Sequence, residues 1–206
     1  MRLEPKTKRG QASRERIVEA AADLMFTRGV RATGLDDVLA AAGVGKGQFY
    51  HYFADKDALV RAVIARQSER ILDGQRLMLE HLDSWAAIAA WFERMVRLQE
   101  QRGCVGGCPL GSLASELADQ NEVARADLVA TFDRWEGYLA SGLERMRACG
   151  ELHAEADPAV LAAAAMASIQ GGLLLAQTRK DARALQRALD GAFAYLRTFA
   201  VDTPRR

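Results

Sequence analysis

"AGVGKGQFYHYF", Ala42 to Phe53, decides how this 206-residue chain is read. Three glycines alternate with Val44 and Lys46, and four Phe and Tyr rings follow within five residues. A Gly-rich loop with a lysine suggests a phosphate cradle. A Walker loop, however, needs Gly, four residues, then Gly-Lys-Ser/Thr. Here the first position is Ala40 and the residue after Lys46 is Gly47, so no hydroxyl is available for Mg²⁺. The preceding "LDDVLAAA" reads as helix, not strand, which also removes a dinucleotide turn. On a helix from Lys46, the rings of Phe49, Tyr52 and Phe53 fall on one side, where core packing accounts for Phe49 and Phe53. Gly47, Tyr50 and His51 fall opposite, flanked by Lys46 and Gln48. A short helix (Leu35 to Ala42), a Gly-containing turn and a second short helix form a helix-turn-helix, whose second helix enters the major groove. Glutamine can read adenine N6/N7, and lysine guanine O6/N7 or phosphate.

Outward from this stretch, nearly everything reads as helix. No segment shows sustained period-two alternation with β-branched residues. The first helix is expected from Ser13, its N-cap, to Arg28, with Ile17, Ala21 and Leu24 on one apolar face. A fourth helix, capped by Asp55, is expected to run to about His81. A larger helical body follows, with helices over 84–101, 109–118, 121–148, 158–177 and 181–199, capped at Asp83 or Ser84, Asn121 and Asp157. The expected division is residues 1–60, of which 1–12 form a flexible basic arm, and 61–206. Residues 203–206 are expected to form a second disordered tail.

Net charge is only +1, but residues 1–66 carry 12 Lys/Arg against 8 Asp/Glu. The remainder carries 16 against 19, so the basic third suits contact with an anion at one end of the chain. Lys6, Lys8, Arg9, Arg14 and Arg16 could add phosphate or minor-groove contacts, or could be solvated. Three cysteines, an odd number, do not make a secreted disulfide framework. The charged start "MRLEPKTKRGQASRER" lacks the apolar core of a signal peptide, so a cytoplasmic location is expected. The most apolar run, 159–177, is Ala-rich, interrupted by Ser168, Gln170 and two glycines, and reads as a buried helix instead of a membrane span.

Residues 13–64, "SRERIVEAAADLMFTRGVRATGLDDVLAAAGVGKGQFYHYFADKDALVRAVI", closely resemble the DNA-binding domain of TetR-family transcriptional regulators. The resemblance implies an all-α, two-domain homodimer with an N-terminal helix-turn-helix and a C-terminal domain for ligand binding and dimerisation. It implies a repressor of a palindromic double-stranded DNA operator, released by a small-molecule effector. Position by position, Lys46, Gln48, Tyr50 and His51 match recognition-helix positions that meet bases and phosphates. Lys56 matches a lysine that reaches phosphate, and Thr33 precedes a helix whose start approaches the backbone. Gly34 and Gly45 stand where the family often has Ser or Thr, so these helix starts keep backbone N–H groups but lose a hydroxyl. The DNA-contact set is therefore Thr33, Gly34, Gly45, Lys46, Gly47, Gln48, Tyr50, His51 and Lys56. Gln48 replaces a residue that is often a small hydroxyl one, which suggests an operator preference of its own.

In the body, Trp91, Met95, Phe132, Trp135, Tyr138, Met166 and Gln170 are bulky or polarisable. Core packing explains most of them, and some could line an effector pocket. Glu116 and Asp119 could face a cationic ligand or simply water. The segment "GCVGGCPLGSLASEL" resembles a branch of the family with a Gly-Cys-Leu/Pro segment, some members of which respond to electrophiles or oxidants through cysteine. Cys108 stands at an expected helix N-terminus, where thiol pKa falls. A thiol sensor using Cys108 and Cys104 is thus an alternative to small-molecule release, and a small buried hydrophobe is the plainer account of Cys108. The dimer seam is expected from Ala162–Ala165, Ala167, Gly171 and Gly172, with Leu161, Leu173, Leu174, Leu185, Leu189, Phe193 and Leu196. No cofactor, metal or membrane partner is expected. The remote rival, a helical enzyme, finds no Ser-His-Asp arrangement, metal cluster or phosphate loop, and His51, His81 and His153 lie in unrelated places.

Overall fold

The computed structural model describes residues 7–201. They form α1 (Lys8–Arg28), α2 (Leu35–Ala42), α3 (Lys46–Tyr52), α4 (Lys56–Asp73), α5 (Arg76–Leu79), α6 (Trp85–Gln101), α7 (Pro109–Leu117), α8 (Glu122–Ala148), α9 (Pro158–Arg179) and α10 (Arg183–Arg197). The fold is all-α; one isolated bridge joins Leu152 and Ala200. Local chemistry explains several helix starts. Asp55 accepts from Ala58 N–H at 2.8 Å, Ser84 from Ala87 N–H at 3.2 Å, and Asn121 from Ala124 N–H at 2.9 Å. Asp157 caps α9, with Pro158 in the first turn, where its missing N–H costs nothing.

Two helices depart from expectation. α1 starts five residues early, at Lys8, because Thr7 accepts from Gly10 N–H at 3.1 Å and caps it there. Ser13 is therefore not a cap but an inward residue, 3% exposed. Residues 8–12, expected in a flexible arm, are helical, whereas Lys6 and residues 203–206 lie outside the described residues. The helix expected to reach His81 stops at Asp73. Gly74 costs an interior helix about 1 kcal/mol against alanine, and after the break the short α5 buries Leu79.

The chain divides into two compact units. Within the described residues, one comprises everything up to Ile71 together with Pro109–Ala130, and the other Leu72–Cys108 together with Thr131 onward. The boundary expected at 60/61 falls inside α4, and α7 joins the first unit from far along the chain. Such a return is invisible to local composition. In the first unit, Ile17, Ala21 and Met25 of α1, Val38 and Leu39 of α2, Phe49 of α3 and Leu59 of α4 are buried. In the second, Ile88 and Trp91 of α6, Leu139 and Leu143 of α8, and Leu185 and Leu196 of α10 are buried. Here α8 passes so close to Leu82 that a Cβ on Gly142 would lie 1.9 Å from the Leu82 carbonyl oxygen, so only glycine fits.

Candidate nucleic-acid interface

α2 ends on Gly43 in the left-handed region (φ 64°, ψ 41°), a conformation that favours glycine. Its N–H and that of Val44 donate to Ala40 O at 3.3 Å and Leu39 O at 3.1 Å. This reverses the chain within three residues and starts α3 at Lys46. Phe49 (0% exposed) and Phe53 (3%) anchor α3, their rings 5.4 Å apart. The Arg14 guanidinium lies 5.4 Å from the Phe53 ring centroid.

The other side of α3 is open. A Cβ added to Gly45 or Gly47 would meet nothing within 4 Å, and Lys46, Gln48, Tyr50 and His51 are all exposed. Tyr50 packs edge-on against Phe49 at 5.2 Å, which holds its phenol outward. Lys46 pairs with Asp36 at 3.1 Å, but both side chains are mostly in water, so the pair is weak and free to exchange for phosphate. The Gln48 side-chain amide donates through Nε2 to Ser13 Oγ on α1. At the start of α2, the Gly34 N–H donates to Asp37 Oδ2 at 3.1 Å, the half of a capping box that a glycine N-cap still makes.

Thr33 and Lys56 turn away from this surface. Thr33 is 1% exposed and its hydroxyl donates to Gly29 O at 2.7 Å. The Lys56 ammonium donates to Val30 O at 2.8 Å and Thr33 O at 2.7 Å. Both brace the α1–α2 loop. The brace has a third member with no sequence signal: Glu116 of α7 accepts from Val30 N–H at 2.8 Å and Arg31 N–H at 3.3 Å, across 86 and 85 residues. Glu116, expected to face a ligand or water, thus holds the loop that leads into the helix-turn-helix. Of the N-terminal basic residues read as either DNA contacts or solvated side chains, Lys8 and Arg9 are exposed on the first turn of α1. Arg16 approaches Ser13 Oγ at 3.4 Å.

In the second unit, the residues expected at an effector site separate by burial. Trp91 is fully buried and donates to Gln75 Oε1 at 2.8 Å, which marks it as core. Met95, Phe132 and Gln170 are half-buried, and Gln170 Nε2 lies 3.6 Å from the sulfur of the buried Met166. Trp135 Nε1 and Gln99 Oε1 are buried without a hydrogen-bond partner among the described residues. Such orphans are rare and costly. Gln99 was not among the expected residues, since nothing local marks it. Cys104 and Cys108 are both buried, and Cys104 stands at positive φ (55°) with its carbonyl oxygen 3.5 Å from Lys180 Nζ. An open groove of about 720 Å³ lies between α8 and the start of α9, lined by residues such as Glu144, Arg147 and Glu155, and shares none of the expected effector residues.

The expected seam also divides. Leu161, Ala162, Ala165, Leu173, Leu185, Leu189 and Leu196 are buried within the chain. Gly172 joins them: its Cβ would lie 2.8 Å from Leu185 Cδ1 and 3.1 Å from Ala188 Cβ. Ala163, Ala167, Gly171 and Leu174 (61% exposed) instead form an outward stripe with Val160 (57%), at helical spacing. α9 is the one helix among the described residues long and apolar enough to cross a membrane, and this stripe is why its apolar character exceeds what the core uses.

Residues 17–63 match the family described as "Bacterial regulatory proteins, tetR family", and residues 85–192, more than half of the chain, match "Tetracyclin repressor-like, C-terminal domain". The transcriptional regulator AcuR of Cereibacter sphaeroides is 31% identical over 191 residues, covering 89% of this chain and 81% of that protein. The HTH-type transcriptional repressor DhaR of a Mycobacterium species is 25% identical over 188 residues, covering 89% and 91%. A TetR transcriptional regulator from Chloroflexus aurantiacus superposes with a TM-score of 0.81 at 27% identity, covering 94% of this chain and 98% of that structure.

Proposed function

The chain belongs to the TetR family and is a DNA-binding transcriptional regulator, not an enzyme; from that premise we propose that it is a cytoplasmic repressor that binds a palindromic operator as a homodimer and leaves it when a small molecule binds the second unit. The observation that carries the reading is the outward face of α3, where Gly47, Gln48, Tyr50 and His51 stand exposed behind a helix anchored by Phe49. Gly47 lets the backbone approach a groove closely, Lys46 and the backbone N–H groups at the start of α3 suit phosphate, and Gln48, Tyr50 and His51 suit base edges. In this reading Thr33 and Lys56 position the helix-turn-helix from behind and do not touch DNA.

One helix-turn-helix reads only a half-site, so a two-fold partner is required for a palindrome. The exposed stripe of α9 supports the homodimer, since an isologous seam needs one self-complementary apolar patch. The orphaned Trp135 Nε1 and Gln99 Oε1 support an effector that offers both an acceptor and a donor. Repression is favoured by the similarity to a relative named as a repressor. The thiol-sensor alternative finds less support, because both cysteines of the α6–α7 loop are buried. The experiment is fluorescence anisotropy of the full-length protein on the DNA upstream of its own gene. Tight, salt-sensitive binding to a palindrome there, well above binding to a scrambled duplex, is expected. Equal binding to both duplexes would overturn the assignment.

A further inference from the structure

We infer that Ser13 is a specificity-positioning residue: its buried hydroxyl on α1 orients the Gln48 amide so that Oε1 points outward, which makes Gln48 a reader of bases that carry an exocyclic amine, adenine above all. The inference rests on the reading of α3 as the base-contacting helix and adds the residue behind it.

Ser13 is 3% exposed, while Gln48 is exposed on α3, 35 residues away in sequence. Gln48 Nε2 donates to Ser13 Oγ, and the same oxygen faces Arg16 Nη2 at 3.4 Å. Two N–H donors converge on one hydroxyl oxygen, which matches its two lone pairs. In this arrangement the amide stands nitrogen inward and oxygen outward; the reversed amide would need the Ser13 O–H to turn and donate to Oε1, leaving Arg16 as the one donor to the hydroxyl oxygen. The amide keeps one further N–H on the side of Oε1. Together, Oε1 and that N–H form the edge that pairs with adenine, N6–H donating to Oε1 and N7 accepting from Nε2. With the amide reversed, both N–H protons would be released outward, toward guanine O6 and N7 or thymine O4. An unrestrained glutamine can take either orientation. Ser13 weights that choice toward the oxygen-out orientation before DNA arrives, so less conformational freedom is lost on binding.

The test uses full-length wild type, Ser13→Ala, Ser13→Thr and Gln48→Ala. Each selects from a library of duplexes with a randomised central segment. The position whose base preference depends on residue 48 is then measured in four duplexes that differ only there. Wild type should favour adenine over guanine at that position by roughly 5- to 150-fold, the discrimination of one good bidentate contact. Ser13→Ala should narrow this ratio at least about threefold, while its affinity for the best duplex changes less than the ratio does. Ser13→Thr, which keeps the hydroxyl, should restore it. If Ser13→Ala weakens all four duplexes equally, or leaves the ratios at wild-type values while Gln48→Ala abolishes them, Ser13 has no part in specificity although Gln48 does. If Gln48→Ala retains every wild-type preference, the reading of Gln48 beneath the inference fails, and the role of Ser13 with it. Should Ser13→Ala not fold, Ser13→Cys, close in volume and only a weak acceptor, replaces it with the same expectations.

Discussion

α3 buries Phe49 and Phe53 and turns Gly47, Gln48, Tyr50 and His51 outward, whereas α9 buries Leu161, Ala165 and Gly172 and turns Val160, Ala163, Gly171 and Leu174 outward. Both helices are anchored by one apolar side. Their free sides differ in chemistry, and so in what can cover them. The free side of α3 is polar and aromatic with an open glycine, which suits a hydrated polyanion whose bases present donors and acceptors. The free side of α9 is apolar, and each Å² of it gains about 25 cal/mol by leaving water, which suits a copy of itself.

The comparison breaks first if the anchor of α3 is not an anchor. Phe49→Ala should cost about 3–5 kcal/mol of stability, the range for deleting a fully buried phenylalanine, whereas Tyr50→Ala should leave the urea midpoint nearly unchanged and weaken operator binding. Equal midpoint shifts in the two variants would erase the distinction between the sides of the helix. Next, a charge in the α9 stripe tests the opposite surface. Leu174→Glu should convert the dimer to monomer in light scattering and lower operator affinity on the order of 100-fold, because each monomer keeps only a half-site. A dimeric Leu174→Glu protein would move the seam elsewhere.

The adjacent glycines of α9 give a finer test. Gly172→Ala forces a Cβ to 2.8 Å from Leu185 Cδ1 and should lose about 1–2 kcal/mol in chemical denaturation. Gly171→Ala meets nothing within 4 Å in the chain and, below the dimerisation concentration, should gain a few tenths up to about 1 kcal/mol from helix propensity. Midpoints moving in the same direction would mean that α9 is turned otherwise. The smallest effect is at the edge of α3: Asp36→Asn releases Lys46 from an exposed pair and should raise DNA affinity by less than about fivefold, with a steeper salt dependence.

Where neighbouring residues set the geometry, the chain was legible. Leu35–Ala42 and the start of α3 at Lys46 lie where the Gly-containing turn placed them, and Ser84, Asn121 and Asp157 cap the helices expected of them. Misreadings arose where two competent signals lay close together. Ser13 is a good cap, but Thr7 caps first, and Ser13 is carried one turn and more into the helix, onto the face that meets Gln48. Every apolar residue of α9 fits a seam by composition, yet about half serve the fold against α10. The Glu116 contact to the α1–α2 loop has no local signature, because a solvated glutamate on α7 reads the same way.

The order of the helices, the Gly43 turn and the split of Phe49 from Tyr50 follow from rules that act over a few residues: 100° per residue, the left-handed region that glycine enters freely, the N–H groups a cap must satisfy. Which of Gly171 and Gly172 is buried, where the Gln48 amide points and what Glu116 holds depend on surfaces brought together from 13 to 86 residues apart. Hydrogen bonds and close packing are short-ranged in space, so a partner distant in the chain leaves no trace in the residues beside it until the helices have packed.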